Sequence, residues 1–387
     1  NNRVLVTIQL IDPETDAHLW SESYNRDLSD VFAIQADIAM NVANSLQAEF
    51  SLAEQASIER IPTDSPEAYT VYLRSFSATD DASVRSALSQ AIALDPNFAV
   101  ALAARAANNT FQLVGVGIGS GPNEVAELER NIFEDAERAL SIDPTLGAAH
   151  AALAAVHQAN WRGANAEQAF QRAVELSPND LDVLLLYARF KRIRGDYEEA
   201  IRLMRRMIAL NPNVPLLPYQ LGLTLRDARQ WDAAAAAMRQ ALIEIPANLG
   251  LNLNLGWVEA ARGNTAEAAR RLQLAEELGR SSSLPVFRLA QMARAYAFIG
   301  RPEDAMRQFA QFEERATREG VGDGWWAHAY VGIGDYARAL ERVESAIRAR
   351  VPVDQAALVN LAANPWGDPE IETPEFQELF SQLWDDG

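Results

Sequence analysis

The chain has 387 residues, 49% of them apolar, which is enough to bury a continuous core. Its 34 basic and 53 acidic side chains leave a formal net charge of −19, which argues against non-specific binding of nucleic acid or anionic membrane, since both need a basic surface. No cysteine is present, so disulfides and thiolate metal sites are excluded, and no apolar run reaches the roughly 20 residues that span a bilayer.

Residues 3–11 read as a β-strand, Asp12–Asp16 as a turn, and the stretch from His18 to Tyr24 as a second strand. Asp27 or Ser29 can cap a helix whose apolar stripe runs through Val31, Ile34, Ile38, Val42 and Leu46. An isolated hairpin is marginal in water, and here Val4, Val6, Ile8 and Leu10 oppose Leu5 and Ile11, so both faces want cover. Residues 1–50 therefore read as the tail of an α/β domain, followed by a polar linker over 51–64. The unpaired strand edge is expected to be covered by the repeats or by a second copy, which makes a homodimer through the hairpin an expected partner arrangement. The opening Asn1-Asn2-Arg3-Val4 has neither an initiator Met nor a signal-peptide pattern. A fragment or processed form is expected, with any anchor or catalytic domain upstream.

From residue 65 the chain is Ala-rich and mainly helical in pattern. Pro144, Pro178, Pro212 and Pro246 each follow an apolar helical run, and they are spaced by 34 residues three times over. That is the tetratricopeptide (TPR) period. Counting in this register gives repeats at about 65–96 and from Phe98 to Pro144, the latter carrying 14 extra residues near 110–123. Repeats follow at 147–178, 181–212, 215–246 and 249–280. Arg280 then stands where proline would, and Ser281–Ser283 shift the register by three before repeats at 286–318 and 320–351. The expected architecture is a right-handed α-solenoid of about eight helix pairs over 65–351, with 352–387 as an atypical cap over the last apolar face. Recurrent Ala and Gly let paired helices approach closely, and Gly195, Gly263, Gly300 and Gly334 fall at bends suited to a left-handed backbone.

Arg3-Val4-Leu5-Val6-Thr7-Ile8-Gln9-Leu10-Ile11-Asp12, His18-Leu19-Trp20-Ser21-Glu22 and Asp27-Leu28-Ser29-Asp30-Val31-Phe32-Ala33-Ile34-Gln35 resemble the end of the TolB-like domain. That domain precedes TPR arrays in bacterial multidomain regulators: adenylate/guanylate cyclase–TPR proteins, winged-helix regulators of the CadC type and some Ser/Thr kinases. The resemblance continues through Pro66-Glu67-Ala68-Tyr69 and Tyr72-Leu73-Arg74 and covers the whole chain. It implies a role in signal transduction, with every catalytic domain of such a regulator upstream of Asn1.

Three candidate sites stand out. Gly115, Gly117, Gly119 and Gly121 resemble a phosphate-cradling loop, but a helix precedes them and no Walker lysine follows, so a loop of the insertion is the expected reading. His150 and His157 share a helix face without a carboxylate one turn away, which leaves no third metal ligand. No catalytic arrangement, cofactor or metal is expected. The remaining site is the concave surface lined by the first helix of each repeat. Projection places Leu185, Arg189, Arg192, Leu216, Tyr219, Leu223, Arg226, Leu253, Trp257, Phe287 and Arg294 there. Arginines among aromatics suit a peptide with acidic side chains or a free carboxylate, so Arg189, Arg192, Tyr219, Arg226, Trp257 and Arg294 form the expected partner-binding groove. The alternative is that these arginines pair with Asp182 and Asp227 on a solvated face. Trp325, Trp326 and Trp366 read equally well as an apolar patch or as core. The expected function is a non-catalytic interaction scaffold, cytoplasmic, or periplasmic if an upstream anchor exists. The alternative is the sensory end of a cyclase or winged-helix regulator.

Overall fold

A computed structural model describes residues 3–12, 15–27, 31–45, 62–78, 80–116, 122–280, 284–363 and 368–384. The chain is mainly helical, with two strands and nineteen α-helices among these residues. It divides into two compact units, 1–102 and 103–387.

In the first unit β1 (Arg3–Ile11) and β2 (His18–Asp27) pair antiparallel, with Val6 opposite Tyr24 and a bulge at Leu10/Ile11. Helix α1 (Val31–Ser45) packs on β2, and Tyr24, Ile34 and Ala43 are buried. Asn41 Nδ2 donates to Tyr24 Oη at 3.2 Å and to Glu22 Oε2 at 3.3 Å. Leu5, Ile11 and Leu19 stay exposed. Asp27 is the last residue of β2, and its side chain, like Ser29, Leu46 and the linker over 51–61, lies outside what is described. The first helix pair follows as α2 (Pro66–Ser75) and α3 (Asp81–Leu94), capped by the side chains of Ser65 and Asp80.

The unit boundary falls within α4 (Ala99–Val116), which pairs with α5 (Pro122–Ile142) through a two-point Arg105–Asp135 contact at 2.7 Å. Here the structure differs from the expected loop: α4 runs on through Thr110 to Val116. The extra residues mostly lengthen the two helices to 18 and 21 residues, against 13 and 14 in the next pair. Phe111, Leu113 and Val125 supply apolar surface for that extension, and Leu113 and Val125 are buried. Gly115 lies in α4; Gly117, Gly119 and Gly121 lie outside the described residues.

Six further pairs follow: α6 (Gly147–Ala159) with α7 (Gly163–Leu176), α8 (Leu181–Ile193) with α9 (Tyr197–Leu210), and α10 (Leu216–Asp227) with α11 (Trp231–Glu244). Then come α12 (Leu249–Ala261) with α13 (Thr265–Arg280), α14 (Val286–Phe298) with α15 (Pro302–Glu319), and α16 (Asp323–Gly332) with α17 (Tyr336–Ala349). Ala166, Ala200, Ala234 and Ala268 recur at 34-residue spacing and are fully buried at the helix crossings. The partner helix is equally constrained: a Cβ on Gly222 would sit 2.6 Å from Met238 Cγ, so only glycine admits α11 at that distance. The bends repeat too. Gly195 and Gly263 have φ of 78° and 81°, and the same register position is held by Trp161 (φ 59°) and Arg229 (φ 56°). For an L-residue this conformation costs about 1–2 kcal/mol, so both need compensation.

The C-terminal segment reaches both bends. Helix α18 (Pro352–Ala362) packs on α16 in the place of a further first helix, and α19 (Pro374–Ser381) packs on α17. Trp161 joins the buried cluster that holds Leu358, Leu361 and Phe376, and Arg229 Nη2 meets Glu372 Oε1 at 3.0 Å. Helix α18 also reaches α6, where Gln355 Nε2 donates to Gln158 O at 3.1 Å, 197 residues away in sequence. Within the second unit, the row of first helices from α6 to α18 thereby meets itself at its two ends. Trp366 and Ser281–Ser283 lie outside the described residues.

Crossing geometry gives a direct test of this packing. Ala234→Leu should destabilise the array by about 1–3 kcal/mol in urea unfolding through overpacking. Ala233→Leu, one residue earlier on the exposed side, should stay within about 0.5 kcal/mol. Equal effects at the two positions would contradict the crossing.

Candidate functional site: an arginine-lined cavity on the first-helix face

Residues 186, 189 and 193 of α8 and 219, 223 and 226 of α10 recur at three or four positions, so each set shares one helix face. Those faces border a cavity of about 180 Å³. Leu113 from the lengthened α4 and Gln158 from α6 line one side, and Asn254, Arg288, Gln291 and Trp325 from α12, α14 and α16 continue the wall. Gln355, Val359 and Asn360 from α18 close it.

A connected polar chain runs through this wall. Arg192 Nη1 donates to Asp227 Oδ2 at 2.6 Å, and Arg226 Nε donates to Asp227 Oδ1 at 2.8 Å. Arg226 donates onward to Asn254 Oδ1. Asn254 Nδ2 in turn donates to Tyr219 Oη at 3.0 Å. Arg288 Nη1 donates to Gln291 Oε1 at 2.9 Å. Among the lining residues four guanidiniums (189, 192, 226, 288) face one carboxylate, Asp227. Burial first, and then the charge of Arg192, pulls the Arg189 guanidinium down to about 10. Burial also lowers that of Arg288, with Arg226 adding to it. A group of pKa near 10 is still protonated at pH 7, so the cavity wall is cationic inside an acidic chain.

Of the six residues expected in the groove, Arg189, Arg192, Tyr219 and Arg226 line the cavity. Trp257 and Arg294 are buried away from it. Trp257 lies under the Arg226 guanidinium at 5.3 Å and stacks on His328 of α16 at 5.9 Å between ring centres. Curvature of the array thus brings α16 over the face of α12, and a projection from one repeat has no view of that. Burial pulls Arg294 down to about 10 against the opposing charge of Asp368. Leu223 and Phe287 line the cavity as projected, whereas Leu216 is exposed and Leu253 buried. The expected pairing of these arginines with Asp227 is present for Arg192 and Arg226. Projection missed Arg288, which follows Phe287 directly after the register shift, and Gln355 and Asn360, which lie beyond the period. Trp325, which the sequence left between patch and core, is a wall residue. Among the described residues no group of three or more His, Asp or Glu could hold a metal ion, and no helix is long and apolar enough to cross a membrane.

Residues 159–217, and separately 219–283 with 326–363, match tetratricopeptide repeat families. The solenoid is a tetratricopeptide repeat array. A putative adenylate cyclase 3 from Rhizobium meliloti (strain 1021) is 29% identical over 132 residues, which are 33% of this chain and 22% of that protein. The chain thus matches about a fifth of that relative's length. Among solved structures, a tetratricopeptide repeat protein from Parabacteroides merdae ATCC 43184 is similar at 15% identity. It covers 72% of this chain and 99% of its own, with a TM-score of 0.45. YrrB, described as a TPR protein with an unusual peptide-binding site, is 19% identical over 52% of this chain and 97% of its own, with a TM-score of 0.36.

Two buried titratable groups hold α18 to the TPR array. His328 Nε2 and Asn360 Oδ1 lie 2.9 Å apart, and burial pushes the imidazole down to about 3, with Arg294 adding to it. Its contribution to stability is present above the unfolded value near 6.5 and is lost as the pH falls toward 3. Asp354 Oδ1 accepts from Gly324 N at 2.8 Å, yet burial raises its carboxyl to about 6. The sign is opposite: folding favours the protonated acid, so stability present below pH 4 is lost as the pH rises to about 6. Asp354→Asn should therefore stabilise the array by roughly 1–3 kcal/mol at pH 7.5, with the gain vanishing near pH 4. Thermal unfolding at the two pH values measures this, and a variant less stable than wild type at pH 7.5 would contradict it.

Proposed function

We propose that this chain is a non-catalytic interaction module whose concave first-helix face engages a protein or peptide partner through acidic groups. The observation that carries this reading is the charge of that face: four guanidiniums against one carboxylate in a chain of net charge −19. Such a surface attracts a negative segment, which gives both steering and specificity. Recognition by arginine also supplies planar, two-point hydrogen bonds to carboxylates. Phe287, Leu223 and Trp325 provide apolar area between the charges. Residues 1–50 fit, on this reading, the end of a TolB-like domain, and the exposed Leu5 and Leu19 offer a second copy an apolar face on the hairpin.

A second reading has its own support: 29% identity to the putative adenylate cyclase 3. The array then serves as the regulatory region of a larger cytoplasmic signalling protein, and any effector activity belongs to another part of it.

Arg189→Ala combined with Arg192→Ala tests the first reading, because both side chains are only partly buried. In crosslinking from native cells, the wild type should recover one reproducible acidic partner, and the variant should lose at least about tenfold of it at unchanged helicity. Undiminished recovery would overturn the assignment. Trp257→Ala is unsuitable, since emptying a fully buried indole site costs about 3–5 kcal/mol of fold stability.

A further inference from the structure

We infer that the cavity is a binding site for a free, compact polyanion, a small molecule carrying two or more phosphate or carboxylate groups. Three observations lead there. The first is closure: the first helices curve until α18 meets α6, with Gln355 Nε2 donating to Gln158 O at 3.1 Å. A partner can present an acidic group at the mouth of this space, but an extended chain cannot lie along the whole row of first helices across that seam, so what fills the interior is compact. The second is size. At about 180 Å³ the space is smaller than the 300–1,000 Å³ typical of drug-sized ligands, and it suits a molecule of few heavy atoms.

The third is charge. Asp227 is engaged through Oδ2 by Arg192 and through Oδ1 by Arg226, so its single charge offsets at most one of Arg192, Arg226 and Arg288. Arg288 Nη1 donates to a neutral amide, Gln291, and the guanidinium also lies beside the neutral Tyr219 phenol. Confined positive charge of this kind is costly unless an anion compensates it, and a multiply charged anion does so with one molecule. Neutral donors complete the wall. Asn254 and Tyr219 belong to the polar chain, and Gln355 and Asn360 come from the closing helix. Gly250 also fits this reading. A Cβ there would lie 2.9 Å from Arg288 Nη2 and 3.0 Å from Tyr219 Oη, so glycine leaves room for the guanidinium beside the phenol. This site does not depend on the partner reading above, because its ligand is a free molecule and its assay contains no protein partner.

Isothermal titration of the full chain with pyrophosphate, with citrate, and with an acetylated, amidated tetraglutamate peptide at matched ionic strength tests it. Saturable one-to-one binding of pyrophosphate or citrate is expected, and the tighter of the two tells phosphate from carboxylate chemistry. Affinity should fall about tenfold or more in Arg189→Gln/Arg288→Gln. It should also fall in Gly250→Ala, which displaces Arg288 without altering charge and serves if the double variant does not fold. Absence of saturable binding by either small anion, affinity unchanged in the folded variants, or saturation by the peptide alone would each overturn the proposal.

Discussion

Where α18 meets α6, Gln355 donates to a backbone carbonyl 197 residues away, and the indole of Trp161 enters the cluster that holds Leu358 and Leu361. An open solenoid presents its inner helices as a groove. Here the same helices enclose a space, because the chain returns to its own early repeat. The closure also bears on two backbone outliers. Trp161 and Arg229 occupy the left-handed bend that Gly195 and Gly263 fill in neighbouring repeats, and both reach the C-terminal segment, one by burial and one through Glu372. At Trp161 local strain is offset by burial against the C-terminal segment, whereas Arg229 gains only an exposed ion pair there.

Enclosure sets the electrostatics. Arginines on an open face would be fully hydrated, and their number would matter little. Once walled in, Arg192, Arg226 and Arg288 lose solvent, and the fold answers with one carboxylate shared by the first two, amides, a phenol and the face of Trp257. His328, pressed between Trp257 and Trp325, stays neutral and adds no further charge at pH 7. What remains is a cationic interior in an acidic molecule, and both functional readings start from that contrast.

The fold was legible because its determinants are local and periodic. Small residues every 34 positions, prolines at helix junctions and apolar stripes mark the helix pairs without reference to long-range contacts. The inner face of α8 and α10 was legible for the same reason, since both lie in strict register, and Arg189, Arg192, Tyr219 and Arg226 all face the cavity. Trp257 and Arg294 fell out because burial there is set by curvature: α16 lies over α12, which no single repeat encodes. Arg288 was obscured by the three-residue shift before α14. Gln355 and Asn360 belong to a helix outside the period, whose approach to α6 is a property of the summed rotation of all the intervening repeats.

The seam between α6 and α18 carries the account, and the chain's lack of cysteine makes it directly measurable. Gln158→Cys combined with Gln355→Cys places two thiols across it. A short thiol-reactive bifunctional crosslinker, whose reach covers the two side chains, should convert most of the folded chain to an internally linked form of higher mobility in denaturing electrophoresis, and single variants should not change. A double variant that stays unlinked, or links only between molecules, would mean that the array is open and the cavity has no closing wall.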